Sequence, residues 1–353
     1  MSISTLIDRL EIGSVPRLAP RTKSVSVSVI IPCFNEERFI RKALEGLADQ
    51  YELDSYEIVI VDGMSTDGTR NAIREFQETN PQVRVRVFDN PQRSIPVSLN
   101  IGIAAARGEV VARIDAHAAP SKGYIRRCVE VLNRSDVQVV GMPCRVQPGA
   151  NTRIAYAIAS AVSHPFGIGD ATYRLTTGDL AERDVDTVAF ACFRKSLWAK
   201  LGGYDERLLT NEDYDFNYRA HRVGRVVLDG AEHCDYFART TFKGLASQYW
   251  RYGSWKARMV VRQPRSIKLR HLVAPLFASS LFLLAVGGLM STFAQQFLAI
   301  EFALYLTASF AAAVHVGLRD GRDALTIAML PLVFFTIHIC WGTSFLFGLI
   351  HRR

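Results

Sequence analysis

The sequence predicts an α/β domain followed by helices that cross a membrane. Apolar, strand-like runs alternate with helical patterns over the first 115 residues, an arrangement typical of a doubly wound parallel sheet. Charged and turn residues continue through the first 270 positions, whereas long stretches beyond Leu272 contain no charge. A chain of 353 residues is long enough for one large α/β domain and a smaller membrane region.

Four strands are predicted in the first part of the chain. Ser26–Pro32 and Tyr56–Asp62 are continuous apolar, β-branched runs, as in strands that are buried on both faces of a sheet. Val83–Asp89 alternates apolar and polar residues and is therefore placed nearer the sheet edge, and Glu109–Asp115 is the fourth run. Helical spacing predicts connecting helices over Glu37–Leu47, from about Thr69, and over Ile95–Ala106.

Polar residues follow the carboxyl ends of three of these strands. Asn35 and Glu36 come just beyond the first strand, Asp62 ends the second and Asp115 ends the fourth. Ligands of open α/β sheets bind outside the carboxyl ends of the strands. The four side chains are therefore expected to line one crevice.

The turn after the first strand argues against two common nucleotide-binding classes. It reads "PCFNEERF" and contains no glycine, whereas a dinucleotide-dependent oxidoreductase would have GxGxxG there. The GxxxxGK[ST] motif of P-loop ATPases is also missing from the sequence. Side-chain carboxylates and amides are expected to face the ligand, in place of the backbone N–H groups of a glycine-rich loop.

Three segments are long enough to cross a bilayer, which takes about 20 apolar residues as helix. They are Leu272–Thr292, Phe297–Leu318 and Ala324–Ile350. The alternative is that they are buried helices of a soluble core. If all three cross, the Ser291–Gln296 tip lies outside and the Arg319–Arg322 loop inside, as the positive-inside rule requires, although the rule does not favour the basic C-terminus that is then left outside.

A basic and aromatic segment precedes the first span. No acidic residue occurs between Asp235 and Glu301, whereas nine Lys and Arg residues do, interleaved with Tyr and Trp. This composition is typical of a segment at the anionic cytoplasmic leaflet. Nucleic-acid binding is the rival use, and the adjoining membrane segments argue against it. The N-terminus lacks the pattern of a signal peptide, so the α/β domain is expected on the cytoplasmic side of the membrane.

Five segments resemble, in order and spacing, the family-2 inverting glycosyltransferases. They are "SVIIPCFNEE" (Ser28–Glu37), "VDGMSTDGT" (Val61–Thr69), "NIGIAAARGEVVARIDAH" (Asn100–His117), "LGGYDERLLTNEDYDFNYR" (Leu201–Arg219) and "QYWRYG" (Gln248–Gly253). The resemblance implies a GT-A nucleotide-diphospho-sugar transferase fold. The basic segment and the membrane helices are most similar to the bacterial exopolysaccharide branch, which includes succinoglycan-type glucosyltransferases. The boundaries predicted on this basis are an N-terminal extension (1–24), a catalytic domain (25–240), a basic-aromatic segment (241–271) and a transmembrane region (272–353).

The resemblance implies a role for most of the polar residues. Asn35 and Glu36 match the first nucleotide-contacting motif, Asp62 the acid that recognises the base, and Asp115 the first acid of the DxD motif. Glu212 and Asp213 match the ED pair, whose Asp is the catalytic base; alternatively, they merely cap the helix that follows. Gln248, Arg251 and Tyr252 are similar to the QxxRW motif and are assigned to the acceptor or its diphosphate. Arg93 is placed on the nucleotide, with a solvated surface position as the alternative.

Two positions depart from the family pattern. Gly63 stands where many members have a second Asp, and His117 replaces the second acid of DxD, which ligates the metal in the family. The metal is therefore assigned to Asp115 and His117. The alternatives for His117 are a donor to the diphosphate and a histidine that only hydrogen-bonds nearby backbone. Because an imidazole suits Mn²⁺ better than Mg²⁺, Mn²⁺ is expected to serve at least as well.

Together these observations predict an inverting hexosyltransferase anchored in the membrane. Its donor is expected to be a UDP-sugar, namely UDP-glucose, and its acceptor a polyprenyl-diphosphate-linked saccharide in exopolysaccharide biosynthesis. One alternative is a polyprenyl-phosphate sugar synthase, which uses a lipid phosphate as acceptor. The other is an inactive binding module that retains the fold, which Gly63 and His117 bring into consideration.

Overall fold

The computed structural model describes residues 26–51, 55–175 and 181–351. The predicted N-terminal extension, residues 1–24, lies outside this part of the chain. The described residues form two compact units: the first contains residues 26–145 and 181–236, and the second contains residues 146–175 and 237–351.

The described strands are β1 (Val27–Cys33), β2 (Tyr56–Asp62), β3 (Val85–Asp89), β4 (Val110–Arg113), β5 (Ala118–Pro120), β6 (Val137–Gly141), β7 (Cys144–Gln147), β8 (Arg183–Asp184), β9 (Cys192–Arg194), β10 (Arg225–Leu228) and β11 (Cys234–Phe237). The described α-helices are α1 (Ile40–Leu47), α2 (Thr69–Thr79), α3 (Ile95–Ala105), α4 (Tyr124–Leu132), α5 (Arg153–Ala161), α6 (Pro165–Ile168), α7 (Thr172–Leu175), α8 (Lys195–Leu201), α9 (Glu212–Ala220), α10 (Phe242–Arg262), α11 (Arg270–Gly287), α12 (Thr292–Asp320) and α13 (Ala324–Ile350).

The predicted strands of the first unit form a parallel half-sheet. β1 pairs with both β2 and β4, and β2 pairs with β3, all in parallel register. Every residue of β1 and β2 is buried, as their continuous apolar composition requires. The strand with alternating composition, β3, lies at the edge of the sheet, which confirms its predicted place.

The complete sheet is mixed and not wholly parallel, which corrects the expectation of a doubly wound parallel sheet. Its order is β3-β2-β1-β4-β9-β6-β10-β8. The short strand β9 runs antiparallel to both β4 and β6, and β8 runs antiparallel to β10. A second sheet has the order β5-β11-β7.

The turn before α9 is held by Asn100, which is buried on α3. The Asn100 amide nitrogen donates to the carbonyl of Tyr204 at 2.9 Å, and its oxygen accepts from the backbone nitrogen of Tyr204 at 2.9 Å. Gly202 and Gly203 have φ angles of 75° and 79°, in the left-handed region that glycine tolerates best. Both glycines allow the backbone conformation that this turn needs, and the turn leads the chain towards Glu212.

The second unit contains the three helices that are long and apolar enough to cross a membrane, which are α11, α12 and α13. The basic-aromatic helix α10 packs closely against α13. A Cβ atom at Gly253 would lie 2.2 Å from the Ser344 hydroxyl oxygen and 2.3 Å from the Trp341 carbonyl oxygen. The two backbones can therefore approach only because position 253 has no side chain.

Residues 146–175 belong to this helical unit, although they lie between strands of the catalytic domain in sequence. Buried residues of α5, among them Ile158 and Ala161, share a core with Ala313 and Leu330 of the long helices. The Ser160 hydroxyl donates to Asp320 at 2.7 Å. The apolar stretch of α5 is far too short to span a bilayer and was not predicted to join the membrane region.

Candidate active site

The loops that follow β1 and β2 are bound to each other. The Asn35 side-chain oxygen accepts from the backbone nitrogen of Thr66 at 2.8 Å, and the Glu36 backbone nitrogen donates to the Thr69 hydroxyl at 2.8 Å. Asn35 itself has a φ of 55°. These bonds fix both predicted nucleotide-contacting residues relative to the second strand end.

Asp62 is fully buried, and its carboxylate accepts several hydrogen bonds from its own loop. The Ser65 hydroxyl and the Arg70 Nε both donate to it at 2.5 Å, and Arg70 also pairs with Asp89 at the end of β3. The observed role of Asp62 is to order the loop after β2. Its assignment to base recognition stays a prediction.

The glycine at position 63 is explained by the neighbouring aromatic side chain. A Cβ atom at Gly63 would lie 3.2 Å from the Cβ of Phe34, so the Phe34 side chain lies close against it. The guanidinium of Arg93 lies 5.3 Å from the centre of the Phe34 ring, at the distance of a cation–π contact. Arg93 is exposed, and this contact places it beside the first strand end.

Left-handed backbone angles concentrate around the predicted site. Five non-glycine residues of the described chain have positive φ. Asn35, Met64 and Arg93 follow β1, β2 and β3, and Asn211 directly precedes Glu212. Such conformations cost of order 1–3 kcal/mol each and gather at functional sites.

Arg113 joins the DxD-like segment to the ED pair. Its Nε donates to Asp115 at 3.1 Å and its Nη1 donates to Glu212 at 2.9 Å. Although burial opposes ionisation of Asp115, Arg113 and His117 hold the pKa of that carboxyl below its ordinary value. Asp115 is therefore a carboxylate at neutral pH.

His117 and Glu36 are also in contact, as the crevice expected at the strand ends requires. The His117 Nδ1 lies 3.1 Å from Glu36 Oε1. An ionised carboxylate only accepts, so in this contact the Nδ1 of His117 carries the proton that is donated. A carboxylate that orients a histidine in this way is the usual partner of a metal-binding imidazole.

Glu212 and Asp213 begin α9 but differ in exposure. Glu212 is buried, and this burial, together with the neighbouring Asp213, raises its pKa to about 7 in spite of Arg113. Asp213 is partly exposed, and its Oδ1 accepts from the Tyr214 backbone nitrogen at 2.7 Å. Asp213 thus serves its helix N-terminus and still reaches solvent, so the capping and catalytic interpretations are compatible.

The segment similar to QxxRW, Gln248–Gly253, lies in the second unit, on α10. Gln248 is buried and donates to the Tyr252 hydroxyl at 2.9 Å, whereas Arg251 is exposed. The one-turn spacing of Gln248 and Tyr252 makes this bond local to the helix. Arg251 is the member of the motif that presents its charge at the surface of this unit.

The sequence interpretation missed Arg113 and Arg70. Arg113 had a visible signal, because it is a charge at the end of the apolar run "VVAR", two residues before Asp115. Arg70 is one of several charges along an amphipathic helix, and nothing local separates it from the others.

No three His, Cys, Asp or Glu side chains of the described chain converge to hold a metal ion. A cation that one or two protein groups share with a bound diphosphate, as is usual for Mg²⁺ with phosphates, needs no such cluster. Asp115 and the oriented His117 supply one oxygen and one nitrogen for such a site. The residues therefore fit a divalent cation that binds together with its substrate.

Comparison with known families and curated proteins identifies relatives along most of the chain. The family described as "Glycosyl transferase family 2" matches residues 28–199. A succinoglycan biosynthesis protein, ExoA of Rhizobium meliloti, is 28% identical over 91% of this chain and 94% of its own length. A dolichyl N-acetyl-alpha-D-glucosaminyl phosphate 3-beta-D-2,3-diacetamido-2,3-dideoxy-beta-D-glucuronosyltransferase of Methanococcus voltae is 25% identical over 92% of this chain and 97% of its own.

Solved structures with the same fold include a mannosyltransferase from Pyrobaculum calidifontis in complex with GDP-Man and Mn²⁺. The two chains share 20% identity and a TM-score of 0.57 over 96% of this chain and 92% of that one. Residues 1–349 of S. aureus TarS align with a TM-score of 0.52 and 15% identity over 91% and 90% of the two chains. These likenesses show that the mixed sheet has a GT-A-like fold.

Proposed function

We propose that this chain, a glycosyltransferase with a GT-A-like sheet whose residues 28–199 match family 2, transfers glucose from UDP-glucose to a polyprenyl-diphosphate-linked saccharide in exopolysaccharide biosynthesis. The relative named for succinoglycan biosynthesis supports the polysaccharide class. The relative whose name describes transfer to a dolichyl-phosphate-linked sugar supports a lipid-linked acceptor.

One observation carries the proposal. Arg113 connects Asp115, at the end of the donor-side strand β4, to Glu212, which directly precedes the base candidate Asp213. A donor-side acid and an acceptor-side base are thus parts of one connected network, as transfer from a nucleotide sugar to a hydroxyl needs.

Asp213 is the proposed general base. A hydroxyl attacks well only as it loses its proton, and a carboxylate within hydrogen-bond reach can accept that proton. The bond from the Tyr214 backbone to Asp213 fixes the carboxylate at the start of α9. Direct displacement inverts the configuration of the sugar carbon, so an α-linked donor gives a β-linked product.

Asn35, Glu36, Asp62 and Arg93 are proposed to bind the nucleotide, and Asp115 and His117 to hold Mn²⁺ or Mg²⁺. When bound, a divalent cation neutralises charge that develops on the departing diphosphate. The Glu36 carboxylate orients His117 for this purpose and disfavours rotation of the ring.

The acceptor is proposed to be presented at the inner surface of a bacterial membrane, because a lipid-linked saccharide cannot leave the bilayer. Arg251 is exposed on α10 and is suited to contact a diphosphate, while Gln248 and Tyr252 stabilise the same helix turn. The basic-aromatic composition of α10 favours an anionic membrane surface.

A panel of radiolabelled nucleotide sugars tests the donor and the acceptor together. Membranes that contain the full-length protein and a lipid-linked saccharide are incubated with each donor, and label is counted in the lipid fraction. UDP-glucose should give the strongest labelling, and the product should be cleaved by a β-glucosidase. Labelling from a different donor alone, or an α-linked product, would contradict the proposal.

Replacing the base separates this function from transfer to a lipid phosphate. Asp213→Asn should lower turnover by roughly 10²- to 10⁴-fold without a matching rise in the donor KM. A phosphate acceptor is already a nucleophile, so near-normal turnover of Asp213→Asn would support the polyprenyl-phosphate alternative. Asp184→Asn, which alters an exposed salt bridge at the sheet edge, is the matched control and should leave turnover unchanged.

A further inference from the structure

Arg113 is a buried charge at the end of an apolar strand. It is 7% exposed, and the three residues before it in β4 are Val110, Val111 and Ala112. A buried cation is costly unless it is paired and hydrogen-bonded. Its backbone is fixed as well, because the Arg113 nitrogen donates to the Ala191 carbonyl at 2.9 Å.

The two partners of this guanidinium come from different parts of the chain. Asp115 lies two residues on, whereas Glu212 lies 99 positions away, at the start of α9. A guanidinium is planar and offers its donors in a fixed fork, so two carboxylates bound to it have a defined separation and orientation. A lysine carries the same charge but lacks this fork.

Arg127 provides a contrast within the same unit. It also pairs with a buried carboxylate: its Nε and Nη2 donate to Asp229 at 3.2 Å and 2.8 Å, and its Nη1 donates to the exposed Glu130 at 3.2 Å. Neither Arg127 nor Asp229 belongs to the proposed site. Arg127 can therefore stabilise the fold without arranging reacting groups, whereas Arg113 joins two site residues.

We propose that Arg113 is a positioning residue for glycosyl transfer, which holds the donor-side acid Asp115 and the acceptor-side pair Glu212 and Asp213 at a fixed separation. The inference rests on the proposed function of the site. Direct displacement requires the acceptor hydroxyl and the sugar carbon to meet in a narrow range of geometry. Arg113 supplies that constraint through bonds to one group on each side.

The test compares turnover with binding in the full-length protein in lipid nanodiscs. Arg113→Met should lower kcat by about 100-fold, the typical effect of a misplacement near 1 Å. UDP affinity in the presence of Mn²⁺ and the acceptor KM should stay close to those of wild type. Wild-type kcat, or a loss confined to UDP affinity, would overturn the proposal.

Two further variants distinguish the positioning of Asp115 and Glu212 by Arg113 from the effect of removing its positive charge. Arg113→Met leaves Glu212 buried without its cation, so it is combined with Glu212→Gln, which should restore the unfolding temperature. The double variant should still turn over well below Glu212→Gln alone; equal turnover of the two would overturn the proposal. Arg113→Lys should also remain below wild type, and full activity with lysine would contradict the requirement for the fork.

The matched control is Arg127→Met, which removes a comparable ion pair outside the site. It should lower the unfolding temperature and leave kcat unchanged; a loss of kcat equal to that of Arg113→Met would overturn the special role of Arg113.

Failure of the wild-type protein to transfer glucose refutes the proposed function itself. An active wild type with an equally active Arg113→Met refutes only the role of Arg113.

Discussion

The contact between His117 and Glu36 bears on whether the proposed site would prefer Mn²⁺ or Mg²⁺. In their 3.1 Å contact, His117 Nδ1 donates its proton to the Glu36 carboxylate. If His117 is a metal ligand, as proposed, the replacement of an acid by a histidine changes that ligand from oxygen to nitrogen.

Removing the imidazole tests this interpretation. His117→Ala should lower turnover even at saturating Mn²⁺, because one cation ligand is lost. His117→Asp should raise the ratio of Mg²⁺- to Mn²⁺-supported activity, since Mg²⁺ prefers oxygen ligands. The measurement is the initial rate over a range of each metal; a His117→Ala rate equal to wild type would exclude His117 as a ligand.

Glu212 predicts a specific pH dependence of stability. Its pKa is raised from 4.5 to about 7, chiefly by burial, with Asp213 and Asp115 adding to the shift and Arg113 opposing it. Between these two values the folded state keeps a proton that the unfolded state has lost, so stability falls as pH rises through this window. Above about 7 this contribution is constant.

The variant Glu212→Gln tests the predicted fall in stability with rising pH. Its unfolding temperature should change less between pH 4.5 and pH 7 than that of wild type, because glutamine does not titrate. Asp184→Asn again serves as the control, and its profile should follow that of wild type. A Glu212→Gln profile with the wild-type slope would show that another group controls this range.

The contact between α10 and α13 depends on glycine and can be tested directly. Gly253→Ala should destabilise the second unit by about 1–3 kcal/mol, because the new methyl group would meet Ser344 and the Trp341 backbone at 2.2 and 2.3 Å. Gly287→Ala is the matched control, since its Cβ would lie 3.4 Å from Ala294, an ordinary contact. The unfolding temperature in detergent distinguishes them, and equal values would contradict the close approach.

Elements built from long, uniform patterns were predictable from sequence, and short ones were not. The runs that form β1 and β2 are mostly apolar, which identified them nearly to their ends, and three long apolar stretches identified α11, α12 and α13. The three-residue β9 has no period to detect, yet it makes the sheet mixed. The missing information is long-range pairing.

The same limit applies to the site. Family motifs named Asp115 and Glu212 separately, but the bond that links them through Arg113 joins positions 99 residues apart. No local pattern predicts that pairing, because strand register and the position of α9 are set by the packing of the whole first unit. The sequence therefore identified candidate site residues, and the structure was needed to identify the residues to which they are hydrogen-bonded.

The direction of the membrane helices is the main prediction for the whole protein. The tip between α11 and α12 is expected outside and the loop between α12 and α13 inside, since Arg319 ends α12 and Arg322 lies in that loop. Met290→Cys, at a position that is 95% exposed, should react with a membrane-impermeant thiol reagent in intact cells. Ala324→Cys should react only after permeabilisation; the reverse pattern would invert the topology.

The placement of residues 146–175 has a practical consequence for expression. A fragment that stops at residue 240 would keep α5 but lose α12 and α13, whose Ala313 and Leu330 share its core. The apolar face of α5 would then be uncovered in water, and such surfaces promote aggregation. A single cut after the first sheet would therefore separate α5 from the helices that share its core, and both chain segments of the second unit must be kept or removed together.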